Sequence, residues 1–289
     1  GVSYYFRGNV ENNNVQFGVY ASDYYVYQGG SGYYQSQESC EEAGWGNCSP
    51  VKLASAGDKM YWKIVRVNGD GSLRLIYNGI SATPDSSDLA HSYAVGYPPY
   101  NLSRNDPKYT GYTYDRDIKE TDSFIKREVD TWYQNTLGKS NYDRMVTSGR
   151  FCSDSSGYQE GSAFGSGNVF ASMIRLGQFL TGTSTANTPT LKCPSTSESY
   201  GGSYRLKVGL ITADELAFAG ESSYVVGNSY LNPGENGYWY WSMTPADFGR
   251  DIASVWGEFD FLESRNVGNP QAVRPVINVT TDNGFASGD

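Results

Sequence analysis

The segment Val255-Trp-Gly-Glu-Phe-Asp-Phe261 holds the residues whose types and spacing best suit chemistry. Glu258 and Asp260 lie two positions apart, and paired carboxylates are what glycoside hydrolysis requires. Cα atoms two residues apart on a strand are separated by ~6.5–7 Å. That separation fits retaining and inverting geometry alike, so it does not choose between them. Strand alternation places Val255, Gly257, Phe259 and Phe261 on one face and Trp256, Glu258 and Asp260 on the other. The first set is the natural core face. The second then offers an aromatic platform beside two acceptors, which suits a sugar ring, a peptide or a cationic group. Arg250 before the strand and Glu263 and Arg265 after it could line the same patch. A binding face is the preferred reading. A carbohydrate-active hydrolase using Glu258 and Asp260 is the alternative, and a strand whose charges only keep it soluble is the bland one.

Other chemistry is sparse. His91 is the single histidine, so any serine triad or histidine-based metal site would have to use it. No G-x-S-x-G elbow surrounds a serine, and Gly165-Ser-Gly167 lacks the third glycine of a dinucleotide loop. Asp85 with Asp88, and Asp115 with Asp117, are oxygen-rich loop pairs, but neither matches a calcium loop. They read as solvated carboxylates. No catalysis, metal or cofactor is therefore expected.

Four cysteines, Cys40, Cys48, Cys152 and Cys193, contain no C-x-x-C pair. Local pairing, Cys40–Cys48 and Cys152–Cys193, is expected, worth roughly 2–3 and about 4 kcal/mol by loop-closure entropy. Two bridges imply an oxidising, extracellular setting; four buried thiols in a cytosolic protein is the competing reading. The sequons at Asn101 and Asn278 read as chance, since the second falls on an apolar strand.

The elements that must position these residues follow from composition and pattern. The chain has 289 residues, 38% hydrophobic and 18% charged, with 25 tyrosines and 34 glycines. Its net charge of −9 argues against nucleic acid and against a basic membrane-surface role. No apolar run reaches transmembrane length. The chain opens GVSYYF with no signal peptide, and a signal or anchor upstream of it is expected. Runs 61–67 and 73–77 around Asn68-Gly-Asp-Gly71 read as a central hairpin, apolar on both faces. Val15, Phe17 and Val19 alternate as a strand, and 24–27 is a second; 28–50 reads as a disulfide-stapled loop. Residues 80–116 lack periodicity, and their tyrosines read as pins to the surface. In 121–138, Ile125, Val129, Trp132, Tyr133 and Leu137 share a helical arc, with Thr121 or Asp122 as cap and Gly138 as stop. Asn168 to Leu180 is weakly helical. After a short strand at 207–211, Thr212-Ala-Asp-Glu215 is a capping box. Runs 238–243, 252–256, 258–261 and 272–279 read as successive antiparallel strands. Trp62, Trp132 and Trp241 should be buried. Arg274 should be a structural arginine paired with a carboxylate or with carbonyls, Asp214 or Glu215 being one source.

Trp239-Tyr-Trp-Ser242, Ile252-Ala-Ser-Val-Trp256 and Val273-Arg-Pro-Val276 resemble the C-terminal signature of bacterial C-type-lectin-like domains. These include relatives of the formylglycine-generating-enzyme fold and the variable receptors of diversity-generating retroelements. The blocks YYFRGNVEN at residue 4, YWKIVRVNGDGSLRLIY at 61, VDTWY at 129, Phe151-Cys152, PTLKCP at 189 and GLITADE at 209 resemble anchored surface proteins of Gram-positive bacteria. The resemblance implies an α+β, C-type-lectin-like fold with antiparallel sheets, two to three helices and long loops. It implies one domain over 1–289, with 1–50 as an N-terminal extension. In the retroelement receptors the ribbon at this position carries ligand contacts. The copper-binding cysteine pair of the formylglycine enzymes has no counterpart here, so the resemblance does not imply that reaction. The expected function is an extracellular, secreted or surface-anchored binding or adhesion module. Its partner would be a glycan or protein ligand, with membrane attachment only through an anchor outside this chain. A monomer is expected, and a structural stalk domain is the third reading.

Overall fold

The computed structural model describes residues 1–85, 87–114, 121–157, 170–176, 188–193, 202–223, 226–232, 237–249 and 251–280. At its centre the predicted hairpin forms, as strands Lys59–Val67 and Leu73–Tyr77. The turn closes because Asn68 N donates to Ser72 O (2.8 Å) and Gly71 N to Asn68 O (2.9 Å). Gly71 sits at φ +86°, a conformation glycine adopts without steric cost. Asp70 Oδ1 then accepts from both the backbone N (3.0 Å) and the hydroxyl (2.6 Å) of Ser72.

Strand Val276–Val279 lies against Leu73–Tyr77, so both hairpin strands have neighbours on either side. The sheet has seven strands, and its recorded pairings are antiparallel. Tyr4–Tyr5 and Val15–Val19 pair with Lys59–Val67, while Val146–Thr147 and Val208–Gly209 pair with Val276–Val279.

Four α-helices occur among the described residues: α1 (Gln37–Glu42), α2 (Phe124–Asn135), α3 (Ala171–Arg175) and α4 (Ala213–Ala219). The class is mixed α+β, with one helix more than expected. The arc Ile125, Val129, Trp132, Tyr133 and Leu137 is buried as its spacing requires. Trp132 lands on the hairpin, 6.2 Å from Trp62 and 5.4 Å from Tyr77 between ring centroids. The cap of α2 is Ser123, not Thr121 or Asp122, because those two residues form a strand with Thr113–Tyr114. The helix stops at Thr136 rather than Gly138, since a 3-10 turn at Leu137–Lys139 folds Leu137 into the core. The Thr212/Glu215 capping box of α4 forms as read.

Residues 28–50 are more ordered than a stapled loop. Strand Gly32–Tyr34 pairs with Tyr24–Gly29, and α1 follows, held by a Ser36/Ser39 capping box and by the Cys40–Cys48 disulfide. Residues 1–50 are also not appended to the fold: Phe17, Tyr20, Tyr24 and Val26 belong to the main core, which runs on to Val279. The second disulfide joins Cys152 and Cys193. The tyrosines of 80–116 do more than pin the surface, because Tyr93, Tyr100 and Tyr112 are buried. Asn101 and Asn278 are buried too, so neither sequon is presented for modification.

The C-terminal ribbon consists of Tyr240–Gly249, Ile252–Glu258 and Leu262–Asn266, all antiparallel. The expected separate strand at 258–261 does not form; the chain turns there between the second and third strands.

Candidate functional site

The expected ligand face on the ribbon is not a surface. Trp256 and Glu258 both have 0% exposure, and Trp256 Nε1 donates to Ser172 Oγ (3.0 Å). The alternation rule fails because Ile252–Glu258 is covered on both faces: Val255, Trp256, Gly257 and Glu258 are all buried. Asp260 lies in the following turn, off that strand. A carboxylate with no exposed surface cannot meet a sugar, which removes Glu258 from the hydrolase alternative. Glu263 and Arg265 pair with each other at 3.4 Å. The Arg265 guanidinium stacks 3.6 Å over Trp239, whose ring packs on Phe259 and Phe261. Trp239, just before the ribbon, is partly exposed, whereas Trp256 is not. Arg250 lies outside the described residues.

Glu258 instead faces Glu221, which follows α4. Burial pushes the Glu221 carboxyl up to about 7; Ser229 and Glu258 counter this and Asp260 adds to it. Burial, then the charges of Glu221 and Asp260, raise Glu258 well above the carboxylate range. Like charges this close cannot both ionise, so the pair retains a proton near neutral pH.

Two arginines are buried among the described residues, and the fold treats them differently. Arg74 meets Glu215 at 2.6 Å, with Arg66 on the same carboxylate at 2.9 Å. Burial lowers the Arg74 guanidinium to about 10, against the pull of Glu215. Burial opposes ionisation of Glu215 as well, but the two arginine charges win and hold it below its usual range. Beside this pair, Arg175 bridges Asp154 (2.6 Å) and Asp214 (2.7 Å). The small cavity of about 40 Å³ between these groups is lined by these ion pairs together with Arg150 and Lys192.

Arg274, at 2% exposure, has no carboxylate within salt-bridge distance among the described residues. Its Nε donates to Tyr77 O (3.0 Å), one terminal nitrogen to Leu231 O (2.9 Å), and the other to Asn78 Oδ1 (3.0 Å). Tyr93 and Tyr240, edge-to-face with each other at 6.2 Å, both pack against the guanidinium, at 4.9 and 4.8 Å. The expectation of a structural arginine holds, with carbonyls as partners; Asp214 and Glu215 serve other arginines. Tyr93 is fixed in turn, its hydroxyl donating to Tyr238 O (2.6 Å) and accepting from Tyr238 N. Tyr230 OH donates to Ile64 O (2.9 Å).

In front of Arg274 a pocket of about 210 Å³ opens between the hairpin, the loop at 82–84 and the segment at 230–232. Its polar lining includes Lys63, Asn78, Thr83 and Asn232; Tyr93, Tyr230, Pro84 and Leu231 give aromatic and apolar walls. Lys63 is half-buried on the second strand position after Tyr61, and its ammonium has no ion pair among the described residues. Burial, and then the Arg274 charge, push its pKa down. None of these pocket residues was singled out as a ligand contact from the sequence. The available signal was a lysine inside YWKIVRV, a run otherwise read as covered on both faces.

The remaining candidates are accounted for locally. His91 Nδ1 meets Asp88 at 2.8 Å on the surface. Asp85 Oδ1 accepts from Ser87 N. Asp115 and Asp117 lie outside the described residues, among which no group of three metal-ligating side chains could hold an ion. No helix among them is long and apolar enough to cross a membrane. Comparison of the chain with protein families, with curated proteins and with solved structures returned no match.

Proposed function

We propose that this chain is an extracellular or cell-surface binding module of lectin-like α+β architecture, which holds a glycan or protein ligand without transforming it. The observation that carries the reading is the pocket in front of Arg274. It is open, aromatic and apolar along its walls, and lined by the polar side chains of Lys63, Asn78 and Thr83, the usual character of a ligand site. Two disulfides support the extracellular setting. Two residues considered for catalysis give that reading no support: His91 is tied to Asp88 on the surface, and Glu258 is buried in the core.

A glycan and host-protein array probed with the wild type and with Thr83→Trp tests the proposal. Thr83 lines the mouth and is exposed, so a bulky ring there fills the pocket from outside. Ligands bound by the wild type and lost in the plugged variant are expected. A domain that binds nothing on either array, or binds equally when plugged, does not use this pocket; the former result favours a structural stalk.

A further inference from the structure

The charge distribution around the pocket is its most unusual property. In a chain of net charge −9, two cations line one pocket with no carboxylate in its lining and no ion pair to either among the described residues; the acid that feels the Arg274 charge, Glu258, is buried and held above the carboxylate range. The other buried arginine, Arg74, is matched by Glu215, so the fold has the means to neutralise such a group. An uncompensated charge taken out of water is costly. Placing a lysine next to it adds repulsion, in the direction of the depressed Lys63 pKa. Backbone carbonyls and tyrosine faces stabilise Arg274 itself. They do nothing for Lys63, whose stem is half-buried and whose head has no ion-pair partner.

The geometry of donors points the same way. Arg274 uses Asn78 Oδ1 as an acceptor, which leaves the two amide hydrogens of Asn78 for another partner. The Lys63 ammonium brings three donors. The base of the pocket thus has an excess of donors and positive charge and a shortage of acceptors. Its walls, Tyr93, Tyr230, Pro84 and Leu231, are largely apolar and suit the carbon skeleton of a ring. A volume of about 210 Å³ is under the ~300–1,000 Å³ of sites for larger organic ligands, and suits a single ring.

We propose that this pocket takes an acidic sugar, whose carboxylate is seated between the Lys63 ammonium and the Asn78 amide in front of Arg274. The sugar hydroxyls meet Thr83 at the mouth, and the ring lies along the tyrosines. This assignment rests on the binding-module reading above and adds the class of ligand to it.

The test uses the intact domain and three probes: methyl glucuronide, methyl glucoside, and a short peptide with either a free or an amidated C-terminus. Titration calorimetry should show glucuronide binding at least tenfold tighter than glucoside, and weakening as salt is raised. Lys63→Met, which keeps the length of the side chain and removes its charge, should cost at least tenfold in glucuronide affinity. Selective NMR of lysine Nζ in the wild type gives a readout independent of any variant: the Lys63 pKa should rise on saturation with glucuronide. Glucoside and glucuronide binding equally, with Lys63→Met unaffected and both lost in Thr83→Trp, would overturn the acid assignment and leave the binding module standing. Binding of the peptide in place of glucuronide, abolished by amidation, replaces the sugar by a peptide carboxylate. No glucuronide binding at millimolar concentration, with array ligands still lost in Thr83→Trp, also removes the acid assignment. No binding of any probe, with the plug changing nothing on the array, removes the module reading too.

Discussion

Replacing Arg274 by methionine should be among the most destabilising single changes in this chain. The guanidinium satisfies three buried oxygens, Tyr77 O, Leu231 O and Asn78 Oδ1, and packs against two tyrosine rings. A buried acceptor left without a donor costs ~1–3 kcal/mol. Three such losses are not additive, because the pocket in front lets water reach part of the site. A net cost of ~3–5 kcal/mol is the expectation, comparable to breaking a buried polar network. At ~2–4 °C per kcal/mol for a chain of this size, the melting temperature should fall by roughly 6–20 °C. Calorimetry or urea unfolding under non-reducing conditions measures it. Arg274→Lys keeps the charge but loses the planar fork, and should fall in between. An Arg274→Met protein melting within a degree or two of wild type would refute the reasoning, since the three oxygens would then have found other donors at no cost.

Lys63→Met should behave in the opposite way, melting at or above wild type by up to ~1 kcal/mol, because it removes an uncompensated charge. Stability should fall as pH rises from ~4.5 through about 7. Glu128 and Glu221, both raised to about 7, and Glu258, raised well above its usual range, mainly by burial, keep protons that the unfolded chain has already lost. Urea midpoints at pH 5 and pH 8 check this, and Glu258→Gln should flatten the slope. Trp256→Ala should cost ~3–5 kcal/mol of stability, as a buried aromatic does, measured by urea unfolding. Trp132→Ala should do the same through the cluster with Trp62 and Tyr77.

Local patterns made much of this architecture legible. The hairpin turn, the apolar arc of α2 and the Thr212/Glu215 box are each written within a few residues, and each formed. The cysteine pairing was legible because short separations in polar sequence leave few alternatives. Failures came where burial is decided by distant segments. Trp256 and Glu258 alternate as an exposed face would, but α3 supplies Ser172 against one and Glu221 comes up against the other. Helix α1, QESCEE, has no apolar periodicity to announce it; a capping box and a disulfide hold it. The partners of Arg274 come from residues 77, 78 and 231, which no sequence spacing relates. Lys63 was visible only as a polar residue in an apolar strand, and its meaning depended on Arg274 arriving beside it.

The most direct measurement is a crystal structure of the domain with methyl glucuronide or an array-selected acidic glycan. The account predicts density in the pocket in front of Arg274, with the ligand carboxylate about 3 Å from Lys63 Nζ and the ring against Tyr93 or Tyr230. A ligand seated elsewhere, such as on the Trp239–Arg265 surface of the ribbon, with the Lys63 pocket empty, would contradict it.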